Sequence, residues 1–415
     1  MSSRPATIEH HDVTCPFCGL LCDDLTVLVD DELHPDAKAC AKATRAYAAI
    51  APFAAPTIDG KPVTFDAAIA QAAKYLKRSR QPLFAGLGTD VAGIRAALAL
   101  AERCRGTVDH LHGAALARGM QVLQSRGWHT TTLGEVRNRA DLVVLVGVDI
   151  NVNYQNLIRR YLAPAAALQP ARRTSRRLVY LGPRRAQPSS PELPCEVIAT
   201  TKSLSETLRH LQALLGARTV AGPDRGQALA SLATALRAAQ YPVLIWAPGQ
   251  LDSLDGDLTI AAACDVIADL NKTQRAAGLA LGGDDGGQSA QAACAWLTGF
   301  PLGLSFAGEQ LDYAPARYNT TRVLAEGQAD LLLWISTFAR HLPPTHALPQ
   351  IVLAPLGTEL RGKRTVYIPV GTPGIDHAGQ LVRTDGVVSL PLPALRDVGL
   401  PSAATVLSRL HQALD

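Results

Sequence analysis

Leu142-Val-Val-Leu-Val146 contains no polar residue. A strand of that composition must be covered on both faces, which in a folded chain means a parallel sheet flanked by helices. Similar short apolar runs recur at residues 82–86, 177–181, 242–247, 276–281, 331–336, 351–354 and 366–370, with a brief strand at 106–109. Between them lie segments with helical spacing, at 65–77, 91–105 and on to about residue 124, and a final helix over 403–414. Strands separated by helices predict an α/β fold with several parallel-sheet lobes, whose functional loops gather at the strand C-termini.

The chain has 415 residues, more than one ordinary core accommodates, so two or three lobes are expected. The pattern suggests four consecutive segments: an N-terminal cysteine module over 1–55, a first α/β lobe over 56–220, a second over 221–345, and C-terminal strands and helix over 346–415 that pack back on the lobes. Ala221-Gly222-Pro223 marks the middle boundary. With 47% hydrophobic and 18% charged residues and a net charge of +4, the composition argues against nucleic acid and suits a subunit that hides surface against partners. The polar, acid-containing start is no signal peptide, and no apolar stretch reaches a membrane span. Cys104, Cys195, Cys264 and Cys294 are scattered singly, as reduced thiols of a cytoplasmic protein would be.

The other four cysteines are grouped. Cys15, Cys18, Cys22 and Cys40 follow a C-x2-C-x3-C-x17-C spacing, with Gly19 permitting the reversal after the second. Thiolates so placed can enclose an iron–sulfur cluster or a tetrahedral metal ion. Free or buried thiols, the remnant of such a site, are the competing reading.

Four further features stand out. Gly86-Leu87-Gly88-Thr89 sits at a strand-to-helix turn but has Val91 where a dinucleotide fingerprint needs its third glycine, so it reads as a tight turn. Gly282-Gly-Asp-Asp-Gly-Gly287 could cradle a phosphate through its amides, yet Asp284 and Asp285 would repel one unless a cation intervened. Asp109-His110-Leu111-His112-Gly113 places an acid and two histidines just after a strand, where they could bind metal or move protons or simply form a polar turn. Arg159, Arg160, Arg172, Arg173, Arg176, Arg177, Arg184 and Arg185 fall in a stretch without acids, either a solvated or subunit-facing surface or an anion-binding strip. No strong catalytic signature occurs, and no residue is assigned to catalysis.

Several stretches together carry a family resemblance: Cys15-Pro-Phe-Cys18-Gly-Leu-Leu-Cys22-Asp-Asp, Leu133-Gly-Glu-Val-Arg-Asn-Arg-Ala-Asp141, Trp296-Leu-Thr-Gly299-Phe-Pro301, Tyr318-Asn-Thr-Thr, Gly374-Ile-Asp376 and Arg383-Thr-Asp-Gly386. The chain resembles the molybdopterin/tungstopterin oxidoreductases, and more closely the B subunits of formylmethanofuran dehydrogenase. That resemblance implies the corresponding multi-lobed α/β fold and a [4Fe–4S] cluster on the four cysteines. It also implies a Cys-His-Gly whose cysteine ligates tungsten or molybdenum. Here the counterpart is Leu111-His112-Gly113, Asp149-Ile150 replaces an Asn-Pro near the pterin, and Asp284 and Asp285 sit badly beside a pyrophosphate.

Those departures make the chain similar to the beta subunits of bacterial formyltransferase/hydrolase complexes, which lack redox chemistry. The resemblance then implies a non-catalytic scaffold in one-carbon metabolism, within an assembly that converts formyl-tetrahydromethanopterin to formate through a methanofuran-type carrier. Its partners would be a zinc-dependent hydrolase subunit, a formyltransferase subunit and a C subunit. No molybdopterin or tungstopterin is expected, and the cysteines carry either a cluster or nothing. The glutamate-rich tail of such carriers would give Arg172, Arg173, Arg176 and Arg177 a ligand. The alternative is an active tungsten or molybdenum formylmethanofuran or formate dehydrogenase, which would need a metal ligand between Asp109 and His112.

Overall fold

A computed structural model describes residues 7–49, 54–163, 176–184, 191, 193–216, 225–252, 254–360 and 362–415. The chain divides into two compact units, Met1–Ala117 with Gly283–Asp415, and Arg118–Gly282. This departs from the four consecutive segments read from the sequence. The boundary expected near residue 221 falls inside the second unit, and the last 133 residues return to the first. Local patterning shows where strands lie but not which of them hydrogen-bond.

In the first unit the central strands are Thr107–Val108, Pro82–Gly88, Leu331–Ser336, Gln350–Ala354 and Thr365–Pro369, parallel and adjacent in that order. Antiparallel strands extend the sheet to nine, Leu304–Ser305 and Asp312–Tyr313 on one side, Thr57–Ile58 and Lys61–Pro62 on the other. Side chains alternate between faces, as the two-residue period dictates. Phe84, Leu333, Ile335, Ile351, Leu353, Val366 and Ile368 share one core with the apolar stripes of the helices Phe65–Arg78, Val91–Arg103 and Ala403–Gln412. Leu83, Ala85, Leu332, Trp334, Val352, Ala354 and Tyr367 face the other way, onto Val323 of the helix Thr320–Ala325. Thr64, Asp90 and Ser402 cap their helices through side-chain oxygens, which defines where each begins.

Numbered along the chain, the parallel strands of this unit run 2-1-3-4-5. The order reverses between Pro82–Gly88 and Leu331–Ser336, and the crevice beyond their C-terminal ends is where such a sheet takes ligands. Two smaller antiparallel sheets complete the unit, Ile8–Val13 with Leu25–Val29 and Leu33–Pro35, and Gly379–Val382 with Ser389–Leu392.

The second unit holds a five-stranded, fully parallel sheet ordered Cys195–Ala199, Arg177–Gly182, Leu142–Val146, Pro242–Trp246, Ala277–Ala280. Its order is 3-2-1-4-5, with the reversal beside Leu142–Val146. The loops at that reversal are tied together. The Asp149 amide donates to Gln250 Oε1 at 2.6 Å, and Gln250 Nε2 donates to the Asp149 carbonyl at 3.1 Å. Gly147, at φ 65°, lies so near Leu204 that a Cβ would come within 2.5 Å of its Cδ1.

Arg176, expected in a solvent-facing strip, turns inward at the start of its strand and is 7% exposed. Its guanidinium donates to the carbonyls of Ala140 (2.8 Å), Tyr161 (3.2 Å), Val136 (3.1 Å), Arg137 (2.7 Å) and Leu162. Those carbonyls end the helix Leu133–Arg139 and the turn Ile158–Leu162, where backbone acceptors lack intrahelical donors and a cation is favoured. A lysine cannot present this planar fork. Arg176→Lys should therefore lower unfolding free energy by about 2–3 kcal/mol, as buried carbonyls lose their donors, read as a reduced urea midpoint. An unchanged midpoint would show that the carbonyls find other partners.

Candidate functional site at the strand-order reversal

The sequence places Asp109 and the histidines just beyond the Thr107–Val108 strand, and backbone bonds fix the segment there. The Asp109 amide donates to the Phe84 carbonyl at 3.0 Å, and the Leu111 amide to the Gly86 carbonyl at 2.9 Å. Asp109 is buried. Its Oδ2 accepts both the amide and the hydroxyl of Thr320, each at 2.7 Å. Burial pushes its carboxyl up to about 6, against those two bonds. Gly113 is required beside it, since a Cβ there would lie 2.0 Å from Asp109 Oδ1.

The two histidines and an acid from the glycine loop meet at the crevice. His110 is 1% exposed. It donates from Nε2 to the Asp285 carbonyl at 3.1 Å and accepts the His112 amide on Nδ1 at 3.0 Å. Those bonds specify the neutral ring protonated at Nε2, and burial together with His112 pulls its pKa down to about 4. The Asp285 carboxylate takes His112 Nε2 on Oδ2 at 2.9 Å and His341 Nε2 on Oδ1 at 3.2 Å. Burial alone would raise Asp285, but the hydrogen bonds from the two rings hold it well below the usual carboxylate range. The same contact raises His341, whose backbone carbonyl is itself held by Trp334 Nε1 at 2.9 Å.

The loop carrying Asp285 is shaped for close approach. Asp285 has φ 52°, between Gly283 and Gly286, both in the left-handed region. Gly286 lies against the strand turn, where a Cβ would be 2.4 Å from the Thr89 carbonyl. Gly86 is equally constrained, at φ 78° and with a virtual Cβ 2.4 Å from the Ile335 carbonyl. Aspartate tolerates the left-handed region better than most side chains. Leu111 packs toward Gly88, whose virtual Cβ is 3.4 Å from Leu111 Cδ2. Leu111 also packs on the cluster formed by Leu83, Ala85 and Trp334.

Asp284 faces the cysteine module. Its Oδ2 pairs with Lys42 Nζ at 3.2 Å. Burial raises Asp284, with Lys42 acting in the opposite direction, and Asp284 in turn holds Lys42 charged despite burial. Thus both aspartates read from the sequence as repelling a phosphate have counter-charges or donors within the chain.

Cys15, Cys18 and Cys22 are buried, and Cys40 at the start of the helix Ala41–Tyr47 is half-buried. The Cys15 amide donates to the Cys22 carbonyl at 2.7 Å and the Leu21 amide to the Cys18 carbonyl at 3.1 Å, which closes the turn through Leu21 at φ 45°. Burial pushes the Cys15 and Cys18 thiols well up. The thiolates would repel one another, so Cys22 and Cys40 oppose ionisation of Cys15 while Lys42 favours it. Among the described residues no group of three or more His, Cys, Asp or Glu is arranged to hold a metal ion.

A [4Fe–4S] cluster would require of these cysteines four thiolates at four iron corners. Tyr47 is 1% exposed and its hydroxyl has no hydrogen-bond partner.

Of the arginines assigned to an anion strip, Arg172 and Arg173 lie outside the described residues. Arg176 points inward, and Arg177 pairs with Glu196 at 2.7 Å. Sequence reading missed His341, Lys42, Thr320 and Tyr47. His341 follows the C-terminal end of Leu331–Ser336, and that position beside a predicted parallel strand was the available signal.

No protein-family model matches the chain. It is 30% identical over 366 residues to the B subunit of the formyltransferase/hydrolase complex Fhc of Methylorubrum extorquens, covering 86% of this chain and 97% of the relative. It is 23% identical over 433 residues to the B subunit of the tungsten-containing formylmethanofuran dehydrogenase 2 of Methanococcus maripaludis, with 97% and 98% covered. The crystal structure of the formyltransferase/hydrolase complex (FhcABCD) from Methylorubrum extorquens in complex with methylofuran contains a chain with the same fold. Its TM-score is 0.74 at 29% identity, over 87% of this chain and 98% of that one. Fold and likeness define an α/β protein of the kind that formylmethanofuran dehydrogenases use as their B subunit. Within that class, the chain belongs to the family of formyltransferase/hydrolase complex B subunits. No helix among the described residues is long and apolar enough to cross a membrane.

Proposed function

We propose that this chain is a non-catalytic, architectural subunit of a formyltransferase/hydrolase complex that converts formyl-tetrahydromethanopterin to formate through a methanofuran-type carrier. The observation that carries this reading is that the polar groups at the strand-order reversal are engaged with one another. The resemblance pairs Leu111 with the metal-ligating cysteine of the redox relatives, and leucine has no donor atom. The residues that could replace it are engaged, Asp109 with Thr320 and His110 with Asp285 and the His112 amide. His112 and His341 are both bonded to Asp285, and Lys42 to Asp284, so the cationic groups here are already committed to carboxylates of the chain. The phosphates of a pterin dinucleotide do not suit that charge.

The partners are the other subunits of the complex: the zinc-dependent hydrolase, the formyltransferase and the C subunit. The four cysteines would be the ligands of any structural [4Fe–4S] cluster, which would cross-link the Cys15–Cys22 turn to the helix that starts after Cys40. A carrier tail would rest on Arg172 and Arg173; reversing both to glutamate should weaken carrier retention, and unchanged retention would remove that role.

The reading is tested by assembling the complex with and without this chain. Formate release from the formyl donor is expected only from the full assembly. The isolated hydrolase and transferase subunits should retain their half-reactions when this chain is omitted. Stoichiometric tungsten or molybdenum in this chain, with dye-linked formate oxidation, would instead establish a redox enzyme.

A further inference from the structure

The second unit contains a cavity of about 550 Å³ whose lining residues all belong to that unit. Small-molecule sites occupy roughly 300–1000 Å³, so the space suits a metabolite. It lies where the helices Leu204–Leu215, Arg225–Ala238 and Gly256–Leu270 end. A helix that connects parallel strands returns the chain to their starting end, so the cavity sits opposite the strand C-termini of its sheet. Its charged lining is Arg209, Arg237 and Lys272 against a single acid, Asp269.

Helix ends attract cations, which accounts for part of this basicity. Arg237 Nη1 donates to the carbonyls of Leu214 at 3.0 Å and Leu215 at 3.4 Å, at the close of the first helix. Lys272 Nζ donates to Asp269 Oδ1 at 2.6 Å, and Gln212 Nε2 to Asp269 Oδ2 at 2.8 Å. Both oxygens of the acid are therefore engaged. Arg209 is not explained in this way. It stands well before the end of its helix, and among the described residues it makes no hydrogen bond or ion pair.

A guanidinium carries five N–H donors and an ammonium three, and neither accepts. Arg209 commits none of its donors, while Arg237 and Lys272 each commit one. The cavity thus offers an excess of donors and of positive charge, with its own carboxylate already satisfied. We propose that it binds a small multivalent oxyanion, a di- or tricarboxylate or a phosphate ester. Arg209 is the anchor, because its planar fork matches two oxygens of one carboxylate or phosphate. Arg237 and Lys272 donate to the remaining oxygens. The site is independent of the carrier assignment above and uses none of the arginines of that strip.

The test titrates the full chain calorimetrically with two probes, propane-1,2,3-tricarboxylate and pyrophosphate. Wild type is compared with Arg209→Gln and with Lys77→Gln, an exposed charge on the first unit that serves as control. Wild type should show a single saturable site. Arg209→Gln should weaken it by about tenfold or more, as a charge-assisted pair of bonds is lost, and Lys77→Gln should leave it unchanged. Because Arg209 has no bond to lose in the free chain, the urea midpoint of Arg209→Gln should equal that of wild type. Binding of the tricarboxylate alone would make the ligand a carboxylate, and binding of pyrophosphate alone a phosphate; either supports the site. No saturable binding of either probe, or equal weakening in both variants, would overturn it. A lowered midpoint in Arg209→Gln would overturn the role of Arg209 by showing that it is held in the free chain.

Discussion

Gly286→Ala and Gly86→Ala should each destabilise the first unit by about 3–5 kcal/mol, combining the cost of a left-handed alanine with that of a buried overlap. Each glycine has φ above 70° and would place a Cβ 2.4 Å from a backbone carbonyl, of Thr89 and of Ile335 respectively. Backbone cannot rotate away as a flexible side chain can. For Gly86 the obstacle is the neighbouring strand Leu331–Ser336, so the two innermost strands of the sheet must separate. For Gly286 it is the turn after Pro82–Gly88, so the loop bearing Asp285 must lift from the crevice. Gly299→Ala provides the control, because it also has positive φ but nothing within 4 Å of its virtual Cβ. It should lose only about 1–2 kcal/mol. Urea unfolding of the three variants separates strain from clash, and equal losses would refute the close approach.

Asp285→Asn should cost about 2–3 kcal/mol at neutral pH, because it removes the charge that organises two histidines while keeping a side chain suited to positive φ. The histidines are partly exposed, at 40% for His112 and 43% for His341, so the loss falls short of a fully buried pair. The pH dependence has a definite sign. Asp285 is depressed in the folded chain, so its contribution is present above the ordinary carboxylate range and is lost as acid protonates it. His341 is raised, so its contribution is full below the ordinary imidazole value and is lost as pH rises through the folded value. Wild type should therefore gain most from this contact at mildly acidic to neutral pH, and Asp285→Asn should flatten that part of the stability profile. In an NMR titration the His341 ring should return toward the ordinary imidazole value in the variant. An unmoved His341 titration would show that the carboxylate is not its partner.

The acid groups nearby modulate this profile in opposite directions. Neutral His110 loses stability as pH falls from about 6.5 toward 4, while Asp109, raised to about 6, becomes less costly over nearly the same interval. Their effects oppose each other over an interval in which the contribution of the Asp285 contact is flat.

Leu142–Val146 and Leu331–Ser336 occur in the structure with the bounds their apolar runs predict, because a strand buried on both faces tolerates no polar interruption. The helices Phe65–Arg78 and Val91–Arg103 likewise follow from their apolar spacing and capping residues. Ile8–Val13, which reads Ile-Glu-His-His-Asp-Val, gave no such signal, since four of its six residues are charged or histidine and mostly exposed. Arg176 was misplaced for the complementary reason. An arginine-rich stretch reads as solvated, whereas this arginine is drawn inward by carbonyls left open at two helical ends.

The sequence by itself determined the α/β class, the central strands with the helices between them, and the cysteine set. All of these depend on residue type and on periodicities of a few positions. Only the tertiary structure decided that residues 283–415 rejoin the first unit, and that Asp285 meets His112 and His341 across 173 and 56 positions of chain. Strand order is a choice among many pairings that bury similar apolar surface, and local pattern does not distinguish them. The fate of the two aspartates follows from that choice, because a buried carboxylate is tolerated only where the completed fold brings donors to it.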